Sequence, residues 1–87
     1  MELELYHRWG CPYSAKVREF INENGLDRQV KLIEVDESDN AIETLMNLNQ
    51  SPQVPCLVVD GRPILESRDI INWLNGNLVG NSDSANM

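Results

Sequence analysis

Positive charge is scarce in this chain: seven Lys and Arg stand against fourteen Asp and Glu, a net charge of −7 at neutral pH. Such a surface repels phosphate backbones and anionic headgroups, so neither nucleic acid nor a membrane is expected as a partner. Cysteine is scarcer, two in 87 residues beside a single histidine, which makes neither a disulfide framework nor the four-ligand set of a structural zinc site. A reducing, cytoplasmic setting is the expectation. No apolar run approaches the roughly 20 residues of a membrane span. Met1 to Trp9 alternates charged and apolar residues where a signal peptide would show a basic flank and then an apolar stretch. A second domain has no room, and internal repeats are absent. At this length folding withdraws only about 60% of the unfolded chain's surface from water, so the core must use nearly every apolar run there is.

Those runs carry clear periods. From Glu2 to Tyr6 polar and apolar residues alternate, with Leu3, Leu5 and then His7 on one side, which predicts a strand. Pro12 suits a first helical position, and Tyr13, Val17, Phe20 and Ile21 give a helix of about thirteen residues an apolar face before Asn24-Gly25 stops it. Arg28 to Val35 predicts a second strand, buried on much of both faces. Asn40 with Glu43 has capping-box spacing for a helix whose apolar face is Ile42, Leu45, Met46 and Leu48. Leu57 to Val59 predicts a third strand, Asp60-Gly61 a hairpin, and Pro63 limits the fourth strand, Ile64 to Leu65, to an edge or a very short piece. Ser67 is a cap for a last helix bearing Ile70, Ile71, Trp73, Leu74 and Leu78, closed by Gly76 or Gly80. The order βαβ, α, ββα implies an α/β fold of thioredoxin-like type, a four-stranded mixed sheet with helices on both faces, over residues 1–80. Residues 81–87 read as a flexible tail.

Cys11 falls where a strand hands over to a helix, so its sulfur would meet the unpaired N–H groups and positive dipole end of that helix. Such a site lowers a thiol's pKa, and Arg8 could add a permanent positive charge. Ser14 stands at the fourth position of Cys11-Pro12-Tyr13-Ser14, where a dithiol redox site carries its second cysteine. A hydroxyl cannot resolve a mixed disulfide, which favours an external small thiol in that role. Ser14 itself reads as a first-turn residue with a solvated hydroxyl.

The segment Arg8-Trp9-Gly10-Cys11-Pro12-Tyr13-Ser14 resembles the active-site segment of glutaredoxins. Gln53-Val54-Pro55, Asp60-Gly61 and Glu66-Ser67 resemble the glutathione-binding half of the thioredoxin-fold domain of glutathione transferases. The likeness covers about residues 3 to 78. It implies that Cys11 is the catalytic thiol, supported by Arg8, Pro12, Tyr13 and Ser14. It further implies that Pro55 is a cis proline, that Val54 offers its backbone to the cysteinyl part of glutathione, that Gln53 holds the glycine carboxylate, and that Glu66 and Ser67 hold the γ-glutamyl end. Glutathione has two carboxylates and one amine, so donors at both ends and one acceptor suit it. A complete transferase adds a helical domain that supplies the electrophile's pocket; conjugation is therefore not the expected activity of this chain.

Cys56 reads most simply as a buried core thiol, with a resolving or regulatory role as its alternative. His7 reads as a packing or surface residue, Trp9 as a cover for the site or a partner surface or a hairpin contact, and Trp73 as core. The acidic run Glu34 to Asp39 lacks calcium-loop spacing and reads as a solvated turn. The expected function is that of a monothiol, glutaredoxin-like oxidoreductase, monomeric, with glutathione as co-substrate and glutathionylated or disulfide-containing proteins as partners. Two alternatives stand beside it. Two copies of Cys11 with two glutathiones would hold a [2Fe–2S] cluster, for which no other metal ligand is expected, or the domain would bind glutathione without turnover.

Overall fold

A computed structural model describes residues 1–79; Gly80 and the expected tail lie outside the described residues. The chain runs β1 (Leu3–His7), α1 (Pro12–Glu23), β2 (Val30–Glu34), α2 (Ala41–Asn49), β3 (Cys56–Val59), β4 (Arg62–Leu65) and α3 (Ser67–Leu74), which widens into a π-helical turn over Asn75–Val79. The strands lie in the order β2-β1-β3-β4. β1 is parallel to β2 and antiparallel to β3, and β4 is antiparallel to β3. This is the mixed thioredoxin-like sheet implied by the element order.

Alternation along the central strands builds a core on each face. Leu3, Leu5 and Leu57 meet Val17 and Ile21 of α1 and Ile70 and Leu74 of α3 on one side. Tyr6, Cys56 and Val58 meet Val35 and then Ala41 and Leu45 of α2 on the other. Trp73 is half-buried against the first of these clusters. Two turns fix how the elements connect. After α1, Gly25 takes φ +67°, and the Leu26 and Gly25 N–H groups return to the Ile21 and Asn22 carbonyls at 2.9 and 3.2 Å, a Schellman stop with Leu26 buried behind it. Asp60 and Gly61 take φ +47° and +87°, the doubly left-handed pair that a tight hairpin requires.

Several expectations fail for local reasons. β2 is an edge strand, not one covered on both faces: β1 holds the centre, and Lys31 and Leu32 face solvent. Asn40 makes no capping box, because its φ of +65° is left-handed and its side chain makes no cap bond. Capping needs an extended backbone at that position. The Asn40 carbonyl instead accepts both the N–H and the hydroxyl of Thr44, each at 2.9 Å. Met46 is exposed, one residue off the inward line of Ala41 and Leu45. Glu66, not Ser67, is the residue before α3, so Ser67 is the first helical residue. Gly76 does not stop that helix; the chain widens through it.

Candidate functional site

Three connections meet at one end of the sheet: β1 to α1, α2 to β3, and β4 to α3. Cys11 stands before α1 with an extended backbone (φ −90°, ψ 118°), and Pro12 follows at the first helical position. The Cys11 sulfur lies 4.0 Å from the Val54 carbonyl, and the Val54–Pro55 bond is cis. Burial alone would push the Cys11 thiol up. The Ser14 N–H and hydroxyl, the Tyr13 N–H and the charge of Arg18 together outweigh it and hold the thiol below its usual range. A thiolate at the start of a helix is the nucleophilic form of cysteine.

Ser14 is not a solvated residue. Its exposure is 0%, and its Oγ accepts the Arg8 N–H at 3.3 Å. It is buried because Ser14, Val17 and Ile21 form the inward line of α1. Tyr13, one residue off that line, is 60% exposed instead of lying in the core and borders a cleft of about 590 Å³. Gln53, Val54, Pro55, Glu66 and Ser67 also line that cleft, so the five residues assigned to glutathione by resemblance do come together.

Residues 5–82 match the family model of the glutathione S-transferase N-terminal domain. The chain belongs to that family. Among curated relatives, glutathione S-transferase L1 of Arabidopsis thaliana is 30% identical over 78 residues, which are 90% of this chain and 33% of that protein. This chain thus spans about a third of that relative's length. A transferase family member from Pseudomonas fluorescens, solved with bound glutathione, is 28% identical with a TM-score of 0.73 over 86% of this chain and 38% of that one. A rice transferase solved in complex with glutathione is 28% identical with a TM-score of 0.71, covering 92% of this chain and 35% of its own. A variant of a small thioredoxin-like protein, 25% identical with a TM-score of 0.72, is covered over 94% of its length by 88% of this chain.

Within this transferase-type domain the geometry corrects one assignment. Arg8 is not the cation that acts on Cys11: its Nε lies 3.0 and 3.2 Å from the two carboxylate oxygens of Asp36, in the turn after β2. That pair is solvent-exposed and adds little to stability. Arg8 serves the site through its backbone. The cation is Arg18, one that sequence reasoning missed, although seven residues after Cys11 and four after Ser14 is same-face helical spacing. Its Nη1 donates to the Arg8 carbonyl at 3.0 Å and meets His7 Nδ1 at 3.1 Å, and Nη2 donates to the Trp9 carbonyl at 3.3 Å.

Gln53 and Glu66, which the resemblance assigns to opposite ends of glutathione, lie in contact. The Gln53 amide donates to the Glu66 carboxylate at 3.2 Å, and Glu66 takes φ +71° where the chain enters α3. Cys56 is fully buried on the α2 side. Burial pushes its thiol up against the opposing effect of the Asn49 amide and the Ile64 N–H, which is the character of a core thiol. Trp9 is 57% exposed, edge-on to His7 at 4.8 Å and stacked with the Arg18 guanidinium at 4.7 Å.

Proposed function

We propose that this domain is a glutathione-dependent, monothiol thiol-disulfide oxidoreductase whose nucleophile is Cys11. The observation that carries this reading is the pairing of a Cys11 thiol held below its usual range with a buried Ser14 where a resolving thiol would stand. The Cys11 thiolate attacks the glutathione sulfur of a mixed disulfide, the disulfide bond breaks, and the substrate leaves as a thiolate that takes a proton from solvent. A second glutathione thiolate then attacks the glutathione sulfur held on Cys11. Glutathione disulfide leaves, and the Cys11 thiolate is regenerated.

Glutathione is the co-substrate in this proposal because relatives of 28% identity were solved with it and because the cleft beside Cys11 carries matching groups. The Val54 backbone pairs with the cysteinyl residue. Ser67 and the first N–H groups of α3 receive the γ-glutamyl carboxylate, and Glu66 receives its ammonium. Gln53, whose amide also donates to Glu66, offers a donor to the glycine carboxylate. A single copy acting in a reducing cytoplasm on glutathionylated proteins belongs to the same proposal, as does a domain extending over residues 1–80.

Reduction of a glutathione mixed disulfide, followed through glutathione consumption, tests the reading beside Cys11→Ser. Turnover in the wild type and its loss in the variant are expected. Turnover that survives Cys11→Ser overturns the nucleophile. Tight glutathione binding with no turnover in either protein leaves a binding module, and a coloured species after anaerobic reconstitution with iron and sulfide would make Cys11 a cluster ligand.

A further inference from the structure

The peptide groups of Arg8 are held from three directions. Their N–H is accepted by Ser14 Oγ at 3.3 Å, and their carbonyl accepts both the Cys11 N–H at 3.2 Å and Arg18 Nη1 at 3.0 Å. Arg18 also takes the next carbonyl, that of Trp9, and stacks with the Trp9 ring. One planar guanidinium thereby spans the strand-to-helix connection that presents Cys11, and the Arg8 carbonyl links it directly to the Cys11 backbone.

The same Nη1 that donates to the Arg8 carbonyl also meets His7, which is 1% exposed. A guanidinium has donors only. The 3.1 Å contact between Arg18 Nη1 and His7 Nδ1 is therefore a hydrogen bond only while Nδ1 carries no proton. Protonation would turn an acceptor into a donor and set two cations against each other in a buried place.

We infer that Arg18 is the positioning residue of the Cys11 loop, and that it keeps this place only while His7 is neutral. The inference rests on the reading of Cys11 as the nucleophile and names what regulates it. Burial and the Arg18 charge from α1 hold the imidazole below its usual range, while Glu34 of β2 and Glu37 in the following turn pull the other way. The neutral imidazole is the state that fits the geometry. Acidification then loosens the loop from behind, at a distance from the sulfur, and takes away the cation that favours the thiolate.

The test is the rate of Cys11 alkylation by iodoacetamide against pH, with the adduct assigned by mass spectrometry, in wild type, Arg18→Gln, Arg18→Lys and His7→Asn. Far-ultraviolet circular dichroism confirms that each is folded. Arg18→Gln is expected to raise the ionisation midpoint of Cys11. Arg18→Lys is expected to raise it too, since one ammonium cannot span the Arg8 and Trp9 carbonyls and the imidazole in one plane. His7→Asn keeps an acceptor and is expected to leave the midpoint near that of the wild type.

With Trp73→Phe as background, Trp9 fluorescence should change as pH falls through the His7 titration and stay level when His7→Asn is added. Midpoints unmoved by both Arg18 substitutions, or moved by Gln and not by Lys, overturn the inference, as does a Trp9 transition that survives His7→Asn. These outcomes differ from failure of the functional reading, in which wild-type Cys11 itself ionises like a free cysteine.

Discussion

Ser14→Ala removes one buried oxygen, and the structure says what that oxygen holds. Its hydroxyl is the acceptor for the Arg8 N–H at 3.3 Å and favours the Cys11 thiolate. Alanine fits the same helical position without a clash and with better intrinsic propensity, so the loss is confined to the hydrogen bonds. A buried donor left without its acceptor costs about 1–3 kcal/mol. At 3.3 Å the bond is long, which sets the expectation at the low end, about 1 kcal/mol, offset in part by helix propensity worth a few tenths.

Urea unfolding of wild type and Ser14→Ala would read this as a small fall in midpoint at constant slope. A second effect belongs to the thiol. Losing the hydroxyl moves the Cys11 ionisation upward, because a group that favours the charged form has gone, and thiolate absorbance against pH measures it. A Ser14→Ala protein whose thiolate forms at the wild-type pH would refute the role given to Ser14, whatever its stability.

The remaining predictions touch other parts of the same site. Gln53→Ala and Ser67→Ala should each weaken glutathione binding by about 1.5–3 kcal/mol, the worth of a hydrogen bond to a charged group, measured by calorimetry with the fold intact; unchanged affinity in both would disprove their placement on glutathione. Because folded His7 resists protonation, the unfolded chain binds the extra proton as pH falls below about 6.5. Its contribution to stability is therefore complete above that pH and is lost progressively below it; His7→Asn should remove this component from the pH dependence of urea unfolding. Ser14→Cys treated with glutathione disulfide should lose two hydrogens in mass as it closes an internal disulfide with Cys11 and releases glutathione, whereas wild type treated in the same way should carry a glutathione adduct on Cys11. A Cys11 to Cys56 disulfide in the wild type would instead make this a dithiol enzyme.

The layered architecture was legible because hydrophobic period and turn chemistry are local properties. Leu3 and Leu5 against Tyr6, or Leu57 against Val58, sort to opposite faces by alternation alone, and Asp60-Gly61 and Asn24-Gly25 announce backbone conformations that side chains dictate. What sequence could not supply was position within the sheet. Val30, Leu32 and Ile33 have the composition of a covered strand, yet the order β2-β1-β3-β4 sets them at an edge, a fact fixed by which strand the chain chooses to pair with. Helix starts failed for a related reason. Asn40 and Ser67 have the right side chains for caps, but caps depend on backbone angles, and the preceding loops set those.

In the candidate site the place of Cys11 before a helix was legible and the groups around it were not. Cys-Pro after a strand is a local pattern, so Cys11 could be found from neighbours in sequence. The cation could not be chosen that way, because Arg8 is nearer in sequence and Arg18 nearer in electrostatic effect. Asp36, brought alongside by the parallel pairing of β1 with β2, takes the Arg8 guanidinium and leaves its peptide groups to be gripped by Ser14 and Arg18. Position 14 is thus committed twice. A thiol there would give the site its own resolving group, but a sulfur accepts a hydrogen bond weakly and would hold the Arg8 N–H less well than the hydroxyl does. The serine holds the Cys11 loop through the Arg8 N–H, and under the proposed monothiol reading the resolving step it cannot perform falls to an external thiol.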